Sequence, residues 1–128
     1  MAPLSILVVD DNAEAAEVLC VGLELLGQAP RSASDGDSAL ALLRDWRPDI
    51  AILDLTMPGM GGLELARRIR ALHGAAITLI ALTGHGSSAD RARSQEAGFD
   101  LHWVKPVSLD AVEAWLQQRA ASSGEAGG

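Results

Sequence analysis

The sequence predicts an α/β fold, a doubly wound three-layer sandwich in which helices cover both faces of a five-stranded parallel sheet. Apolar runs of strand length alternate five times with longer segments whose apolar residues recur at helical spacing. Three of these runs are apolar at nearly every position, as in strands that are buried on both faces. Right-handed crossovers between parallel strands are nearly obligatory. These patterns predict the layers but leave the order of the strands open.

The first unit combines a continuous apolar strand with a capped helix. Residues 4–10 contain Ile and Val and meet no charged residue until the strand ends. Asp11 is predicted to cap the helix that follows, because Glu14 three residues later completes a D-x-x-E variant of the capping box. The helix extends to about Leu26, and Gly27 ends it.

The second unit starts with a weak strand at residues 29–33. Its polar character and Pro30 favour a position at the edge of the sheet, since proline cannot donate a hydrogen bond to a neighbouring strand. Ser34 is predicted to begin the second helix, which carries Trp46 and ends at Pro48.

The remaining three units have the same alternation. The predicted strands are residues 50–53, 77–82 and 101–104, and the predicted helices are residues 63–72, a segment from Ser87 or Ser88 to Gly98, and a segment that Ser108 caps. The residues from Ala120 onward, AASSGEAGG, are small and polar and are typical of a flexible tail or linker. We therefore expect one domain at residues 1–119 and a flexible tail at residues 120–128.

Composition limits the classes of function. The chain has 128 residues, of which 48% are hydrophobic and 21% charged, as in a globular domain. A net charge of −7 argues against direct binding to nucleic acid or to an anionic membrane surface, because both modes need clustered Lys and Arg. No apolar run reaches the roughly 20 residues of a membrane span. A lone cysteine, Cys20, excludes an internal disulfide and favours a cytoplasmic location.

Five polar residues stand at the C-terminal ends of four apolar runs. They are Asp10, Asp11, Asp54, Thr83 and Lys105. Open α/β sheets bind their ligands beyond the carboxyl ends of the strands, so these side chains are predicted to share one site. Each alone has a simpler explanation as a helix cap, a turn residue or a surface lysine, but five such placements together are improbable by chance.

The chemistry of these groups suits a divalent cation and one phosphoryl group. Hard ions such as Mg²⁺ prefer oxygen ligands, which the aspartates can supply. Asp54 can also act as a nucleophile that forms an acyl phosphate. The ammonium group of Lys105 can neutralise phosphoryl charge, and the hydroxyl of Thr83 can donate a hydrogen bond to a phosphoryl oxygen.

Four motifs resemble the response-regulator receiver domains of bacterial two-component signalling. They are VVDDN at 8–12, ILDLTMPGMGG at 52–62, ALTGHG at 81–86 and GFDLHWVKPV at 98–107. The resemblance covers residues 4–119, nearly the whole chain. The last two motifs are particularly similar to those of receivers attached to hybrid sensor kinases.

This resemblance implies a fold and a role for each residue. The implied fold is flavodoxin-like, with strand order 2-1-3-4-5. Asp54 matches the phospho-acceptor, Thr83 the switch hydroxyl and Lys105 the phosphoryl-binding lysine, with a cis peptide bond before Pro106. The implied Mg²⁺ ligands are Asp10, Asp11, Asp54 and the backbone carbonyl of Thr56.

Three departures from the family pattern concern the read-out of phosphorylation. His102 stands where the family has a switch aromatic, and Trp103 where it has a smaller aliphatic residue. Gly61 and Gly62 replace an acid in the loop after Met-Pro, which predicts a looser loop. Trp115 with His102 and Trp103 forms either a recognition patch or ordinary core and rim.

Two other features have structural interpretations. The cluster Arg67, Arg68 and Arg70 is expected on the solvated face of the third helix. Cys20 is expected to be a small packing residue in the first helix.

The leading functional hypothesis is a phospho-acceptor receiver in a phosphorelay, a signalling domain and not an enzyme. It would take a phosphoryl group onto Asp54, with Mg²⁺, from a sensor histidine kinase or phosphotransfer protein. It would then change its affinity for an output partner through the surface of the fourth helix, fifth strand and fifth helix. One alternative is an interaction module that works without phosphorylation. Another is a small Mg²⁺-dependent phosphatase, which usually has D-x-D at the nucleophile, where this chain has Thr56.

Overall fold

Five parallel strands alternate with five helices along the chain. The structure is a computed structural model that describes residues 3–84 and 88–127. The strands are β1 (Ser5–Val9), β2 (Ala29–Ala33), β3 (Ile50–Asp54), β4 (Thr78–Thr83) and β5 (Leu101–Val104). The helices are α1 (Ala13–Leu25), α2 (Gly36–Leu43), α3 (Gly62–His73), α4 (Ser88–Ala97) and α5 (Leu109–Gly127), with a short 3₁₀ turn at Gly74–Ala76. Of the two starts predicted for the fourth helix, Ser88 is confirmed, while Ser87 lies outside the described residues.

The strand order is β2-β1-β3-β4-β5, as the family resemblance implies. All four strand pairs are parallel. β2 lies at an edge, as its polar sequence and Pro30 predict. The order reverses between β1 and β3, and such a switch point opens a crevice at the carboxyl ends of the strands.

Two apolar clusters cover the two faces of the sheet. Alternate residues of a strand point to opposite faces, so Leu7 and Val9 join one cluster while Ile6 and Val8 join the other. The first cluster includes α2 and α3, and the second includes α1 and α5. Cys20 packs against the second cluster, as expected for a packing residue. In the part of the chain that the structure describes, no helix is long and apolar enough to cross a membrane.

The residues that cap the first two helices differ from the predictions. Asn12, not Asp11, caps α1, and its Oδ1 accepts a hydrogen bond from the backbone N–H of Ala15 at 3.1 Å. The prediction for Asp11 is wrong because that carboxylate lies in the acidic cluster at the end of β1. The prediction of Ser34 as the start of the second helix is also wrong, since Asp35 caps α2 through the N–H of Ser38.

The helix ends also shift. α2 ends at Leu43, so the prediction that it carries Trp46 is wrong. The Trp46 ring lies beyond the helix, partly buried against the core, with the guanidinium of Arg31 at 4.7 Å from its centroid. α5 begins after Ser108, as predicted, and continues to Gly127. Its helical backbone therefore passes residue 119, and the domain boundary and the flexibility of the tail stay predictions.

Arg70 is a structural anchor at the end of the sheet where the strands begin, opposite the carboxyl ends of the strands. Its guanidinium donates to the carbonyls of Gly98 at 2.7 and 2.9 Å, Ile77 at 2.7 Å and Gly74 at 2.8 Å. It also pairs with Asp100 at 2.8 Å. The expectation of a solvated face is wrong for Arg70, because the carbonyls that end α3 and α4 need donors. It is confirmed for Arg67 and Arg68, which are exposed.

The two tryptophans near the C-terminus form one contact, and His102 lies apart from it. The rings of Trp103 and Trp115 meet edge to face, with centroids 5.6 Å apart, against the α1 and α5 cluster. His102 is the next residue along β5 from Trp103, so it points to the opposite face of the sheet, where it contacts Ser94 of α4. The prediction that these three side chains form one recognition patch is therefore wrong.

We expect Arg70→Ala to lower the free energy of unfolding by about 2 to 3 kcal/mol, because several hydrogen bonds from a charged donor, three of them partly buried, are lost together. Arg67→Ala, an exposed neighbour on the same helix, is the matched control and should change it by less than about 0.5 kcal/mol. Urea denaturation measures both. Equal effects of the two variants would contradict the anchoring role of Arg70.

Candidate functional site

The parallel sheet brings all five strand-end residues to one end of the sheet, where the strands have their carboxyl ends. Asp10 follows β1, Asp54 is the last residue of β3, and Thr83 is the last residue of β4. Asp54 pairs in register with Leu82, which precedes Thr83. The N–H of Lys105 donates to the carbonyl of Thr83 at 2.7 Å and fixes the end of β5 beside β4. The sequence-based prediction of one shared site is therefore consistent with the backbone arrangement.

Three carboxylates form a group that could hold a cation. Asp10, Asp11 and Asp54 each place one oxygen within 4.8 Å of the others. Asp10 and Asp54 are both 2% exposed, whereas Asp11 is exposed. Oxygen donors at this spacing suit a hard divalent ion, and like charges held so close favour a bound cation. The donor set thus fits Mg²⁺.

The carboxylate of Asp54 is held at both of its oxygens. Its Oδ1 accepts a hydrogen bond from the backbone N–H of Thr56 at 3.0 Å and another from the Thr56 hydroxyl at 3.1 Å. Its Oδ2 lies 3.3 Å from the Nζ of Lys105. From the sequence, Thr56 was assigned a backbone carbonyl for the metal and a position flanking the phosphoryl group, but its hydrogen bonds to Asp54 were not predicted. The signal was available, since a residue two positions after an Asp commonly donates to that carboxylate.

Lys105 lies between the two buried carboxylates. Its Nζ is 3.3 Å from Asp54 Oδ2 and 3.5 Å from Asp10 Oδ2. Partial burial lowers the pKa of Lys105, but the charges of Asp54 and Asp10 outweigh that effect and raise it above its ordinary value. The ammonium group therefore stays charged. The peptide bond between Lys105 and Pro106 is cis, which confirms the expectation from the family resemblance.

Burial raises the pKa of Asp10 above its ordinary value, and the neighbouring charge of Asp54 adds to that shift. Two interactions partly offset it. The N–H of Asn12 donates to Asp10 Oδ1 at 2.9 Å, and Lys105 supplies a positive charge on the other side. The ionised form of Asp10 thus carries a cost that a bound cation would relieve.

The loop after Asp54 is closely packed where it enters α3. A methyl group on Gly62 would overlap the carbonyl oxygen of Asp54 and lie 2.9 Å from the Cα of Leu55. Met57 is buried, and the side chain of Met60 covers Gly36 at the start of α2. The expectation of a looser loop is therefore wrong at Gly62, where glycine permits close approach of two backbone segments.

Thr83 and the surface beside Lys105 complete the site. Thr83 is buried at the end of β4, and its role as the switch hydroxyl stays a prediction. A cleft of about 640 Å³ lies between α1 and the segment after β5. Its lining includes Asp10, Glu14, Val18, Lys105, Pro106 and Val107. The cleft leads from solvent to the acidic cluster.

Known proteins share this sequence and this fold. The chain is 37% identical over 124 residues to the virulence sensor protein BvgS of Bordetella pertussis, covering 92% of this chain and 10% of BvgS. It is 39% identical over 114 residues to the DNA-binding response regulator MtrA of Mycobacterium leprae, covering 89% of this chain and 50% of MtrA. The chain thus spans about half or less of the length of these curated relatives.

A solved structure shows the same architecture. The chemotaxis protein CheY4 of Vibrio cholerae superposes with a TM-score of 0.86 at 27% identity, covering 91% of this chain and 98% of CheY4. The model of the response regulator receiver domain family matches residues 6–117. That match includes every strand-end residue of the site. The chain belongs to the response regulator receiver domain family of two-component signalling.

Proposed function

We propose that this receiver takes a phosphoryl group from the phosphohistidine of a sensor kinase or phosphotransfer protein onto Asp54. The observation that carries the proposal is the setting of Asp54, which is buried, oriented by Thr56 and paired with Lys105 beside two further acids. A carboxylate fixed in this way has a defined direction for attack. We further propose that the protein acts in the cytoplasm as a signalling domain and not as an enzyme with a separate substrate.

The transfer replaces one bond to phosphorus by another. A carboxylate oxygen of Asp54 forms a P–O bond while the P–N bond to the donor imidazole breaks, and the imidazole nitrogen leaves with the electron pair. The ammonium group of Lys105 is placed to bind a phosphoryl oxygen. The hydroxyl of Thr83, at the end of the next strand, supplies a donor for another. Hydrolysis of the acyl phosphate by water returns Asp54 to its free carboxylate.

The residues that would hold Mg²⁺ are the side chains of Asp10, Asp11 and Asp54 with the backbone carbonyl of Thr56. When bound, the ion supplies positive charge that neutralises the phosphoryl oxygens. Asp10 and Asp11 prepare the site by directing their oxygens toward Asp54. Lys105 balances the charge of the buried pair Asp10 and Asp54.

The alternatives account for fewer of the contacts. A phosphatase of the D-x-D type needs an acid two residues after the nucleophile, and that position holds Thr56, which donates to Asp54. An interaction module independent of phosphorylation would need neither a buried acid pair nor the lysine between them, and burying such charges is costly.

We place the docking surface for the phosphoryl donor on α1. Its apolar stripe consists of Val18, Val21 and Leu25, which are 72%, 49% and 79% exposed. The charged residues of α1 are all acidic, namely Glu14, Glu17 and Glu24, because the helix contains no Lys or Arg. A second copy would bring like charges together, so the stripe suits an apolar partner surface with a basic rim. Val18 also lines the cleft beside Lys105, which joins the stripe to the site.

The output partner is proposed to bind the face formed by α4, β5 and α5. Val104 on this face is 41% exposed next to Lys105, so changes at the site can reach it directly.

Asp54→Asn is expected to abolish labelling by acetyl phosphate, because the amide cannot form the acyl phosphate. Labelling of the wild-type protein should require Mg²⁺ and disappear with excess EDTA. Asp45→Asn, an exposed aspartate just after α2, is the control and should label normally. Phosphate-affinity electrophoresis or radiolabel measures the product. Labelling that survives in Asp54→Asn would refute the assignment.

Asp10→Asn is expected to stabilise the Mg²⁺-free protein at pH 7, and the gain should shrink as the pH falls. The folded-state pKa of Asp10 is raised, so its contribution to stability is present at low pH and is lost as the pH rises through that pKa. Urea denaturation in EDTA at pH 7 and at about pH 4.5 measures both values. If Asp10→Asn instead lowers the free energy of unfolding by the same amount at both pH values, the charge of Asp10 does not destabilise the folded protein.

Val21→Glu is expected to slow phosphotransfer from a histidine donor by about tenfold or more, because it places a charge in the apolar stripe but outside the cleft beside Lys105. Leu72→Glu, at a position of α3 that is 59% exposed, is the matched control. The measurement is transfer from a panel of purified, radiolabelled histidine kinases. Labelling by acetyl phosphate should be the same in both variants. Equal slowing by the two substitutions would remove α1 as the docking surface.

A further inference from the structure

One buried polar side chain lies outside the site. Among the described residues, the buried polar or charged residues are Asp10, Asp54, Thr83 and Ser94, and the first three belong to the site. Ser94 is 2% exposed in the middle of α4. A buried hydroxyl costs free energy unless it is hydrogen-bonded, so its partners show what it does.

The hydrogen bonds of Ser94 assign a proton to His102. The hydroxyl of Ser94 donates to the carbonyl oxygen of Arg91 at 2.9 Å, because a carbonyl can only accept. A hydroxyl has one proton, so its oxygen must accept in its contact with Nδ1 of His102 at 3.2 Å. Nδ1 of His102 therefore carries the proton of this bond.

This bond joins α4 to the strand that leads into the site. His102 pairs in register with Ala81, and two residues later Val104 pairs with Thr83. Lys105 follows directly. On the other side, α4 begins five residues after Thr83. Both ends of the Ser94–His102 bond are thus connected through short segments to residues that contact or flank the phosphoryl site.

The C-terminal end of α4 is held separately. Arg70 donates two hydrogen bonds to the carbonyl of Gly98, one residue after the helix ends. A displacement of α4 relative to β5 is therefore a swing about this anchored end. Ser94 lies about one turn before that end, so the swing stretches its bond to His102.

We propose that the Ser94–His102 hydrogen bond is a latch that holds α4 on β5 in the unphosphorylated receiver and opens when Asp54 is phosphorylated. This proposal rests on the proposed function of Asp54. His102 replaces a rotating aromatic by a hydrogen-bonded group, so switching in this chain requires a bond to break. A ligand shifts a two-state equilibrium only by its difference in affinity for the two states. Part of the binding free energy of the phosphoryl group is then used to open the latch.

Removing the latch should make a phosphoryl mimic bind more tightly. Ser94→Ala and His102→Phe each delete the bond, and we expect beryllofluoride with Mg²⁺ to bind about two- to tenfold more tightly to either variant, the range for one net hydrogen bond. In the His102→Phe background, Ser94→Ala should add no further gain, because the bond between the two residues is already absent. Gln95→Ala, an exposed position next to Ser94, is the control and should bind as the wild type does.

A second measurement tests the bond itself without any phosphoryl chemistry. In ¹⁵N NMR of the imidazole side chains, Nδ1 of His102 should be protonated in the wild-type protein, and its resonance should shift in Ser94→Ala. An unprotonated Nδ1 in the wild-type protein at neutral pH overturns the latch. So does an unchanged or weaker affinity for the mimic in both single variants.

These outcomes separate the latch from the function of the site. If the wild-type protein binds the mimic, Asp54→Asn does not, and both latch variants bind as the wild type does, the latch fails and the proposed function stands. If the wild-type protein fails to bind the mimic, both are overturned. Tighter binding in Ser94→Ala and His102→Phe, with a protonated Nδ1, supports both.

Discussion

The attraction between one lysine and two buried aspartates is the interaction on which the rest of the structure depends. Lys105 lies 3.3 Å from Asp54 and 3.5 Å from Asp10, and these three residues come from the ends of three different strands. Neither carboxylate would be stable in a buried position without a cation. The register of β1, β3, β4 and β5 brings these residues together, and the hydrogen bond from the N–H of Lys105 to the carbonyl of Thr83 fixes the end of β5 beside β4.

One end of the sheet stabilises the fold, and the other end, at the carboxyl ends of the strands, carries the candidate site. At one end of the sheet, Arg70 donates hydrogen bonds to three carbonyls from two connections, α3–β4 and α4–β5, with a single charged side chain. At the other end, three carboxylates are crowded and only partly compensated, so binding of a cation there lowers the free energy of the protein. α4 begins five residues after Thr83 in the chain and ends next to Gly98, whose carbonyl accepts from Arg70.

Sequence patterns were sufficient for the strands and for placing the candidate site residues at the strand ends. Continuous apolar runs end where the backbone leaves the core, so Asp10, Asp54, Thr83 and Lys105 could be placed at strand ends without a structure. Strand order required the family resemblance, because nothing local in a strand records its neighbours. The caps of α1 and α2 were misplaced because several adjacent polar residues could serve, and only tertiary contacts decide which one does. The roles of Arg70 and of the Ser94–His102 pair depend on partners on other elements, which local patterns do not contain.

The central claim is that Asp54, of the three clustered acids, receives the phosphoryl group. Wild-type protein labelled with acetyl phosphate and Mg²⁺ can be reduced with borohydride, which converts an aspartyl phosphate to homoserine, and then mapped by peptide mass spectrometry. We expect homoserine at position 54, with Asp10 and Asp11 unmodified. Modification at Asp10 or Asp11, or an acid-stable label on a hydroxyl side chain instead, would contradict it.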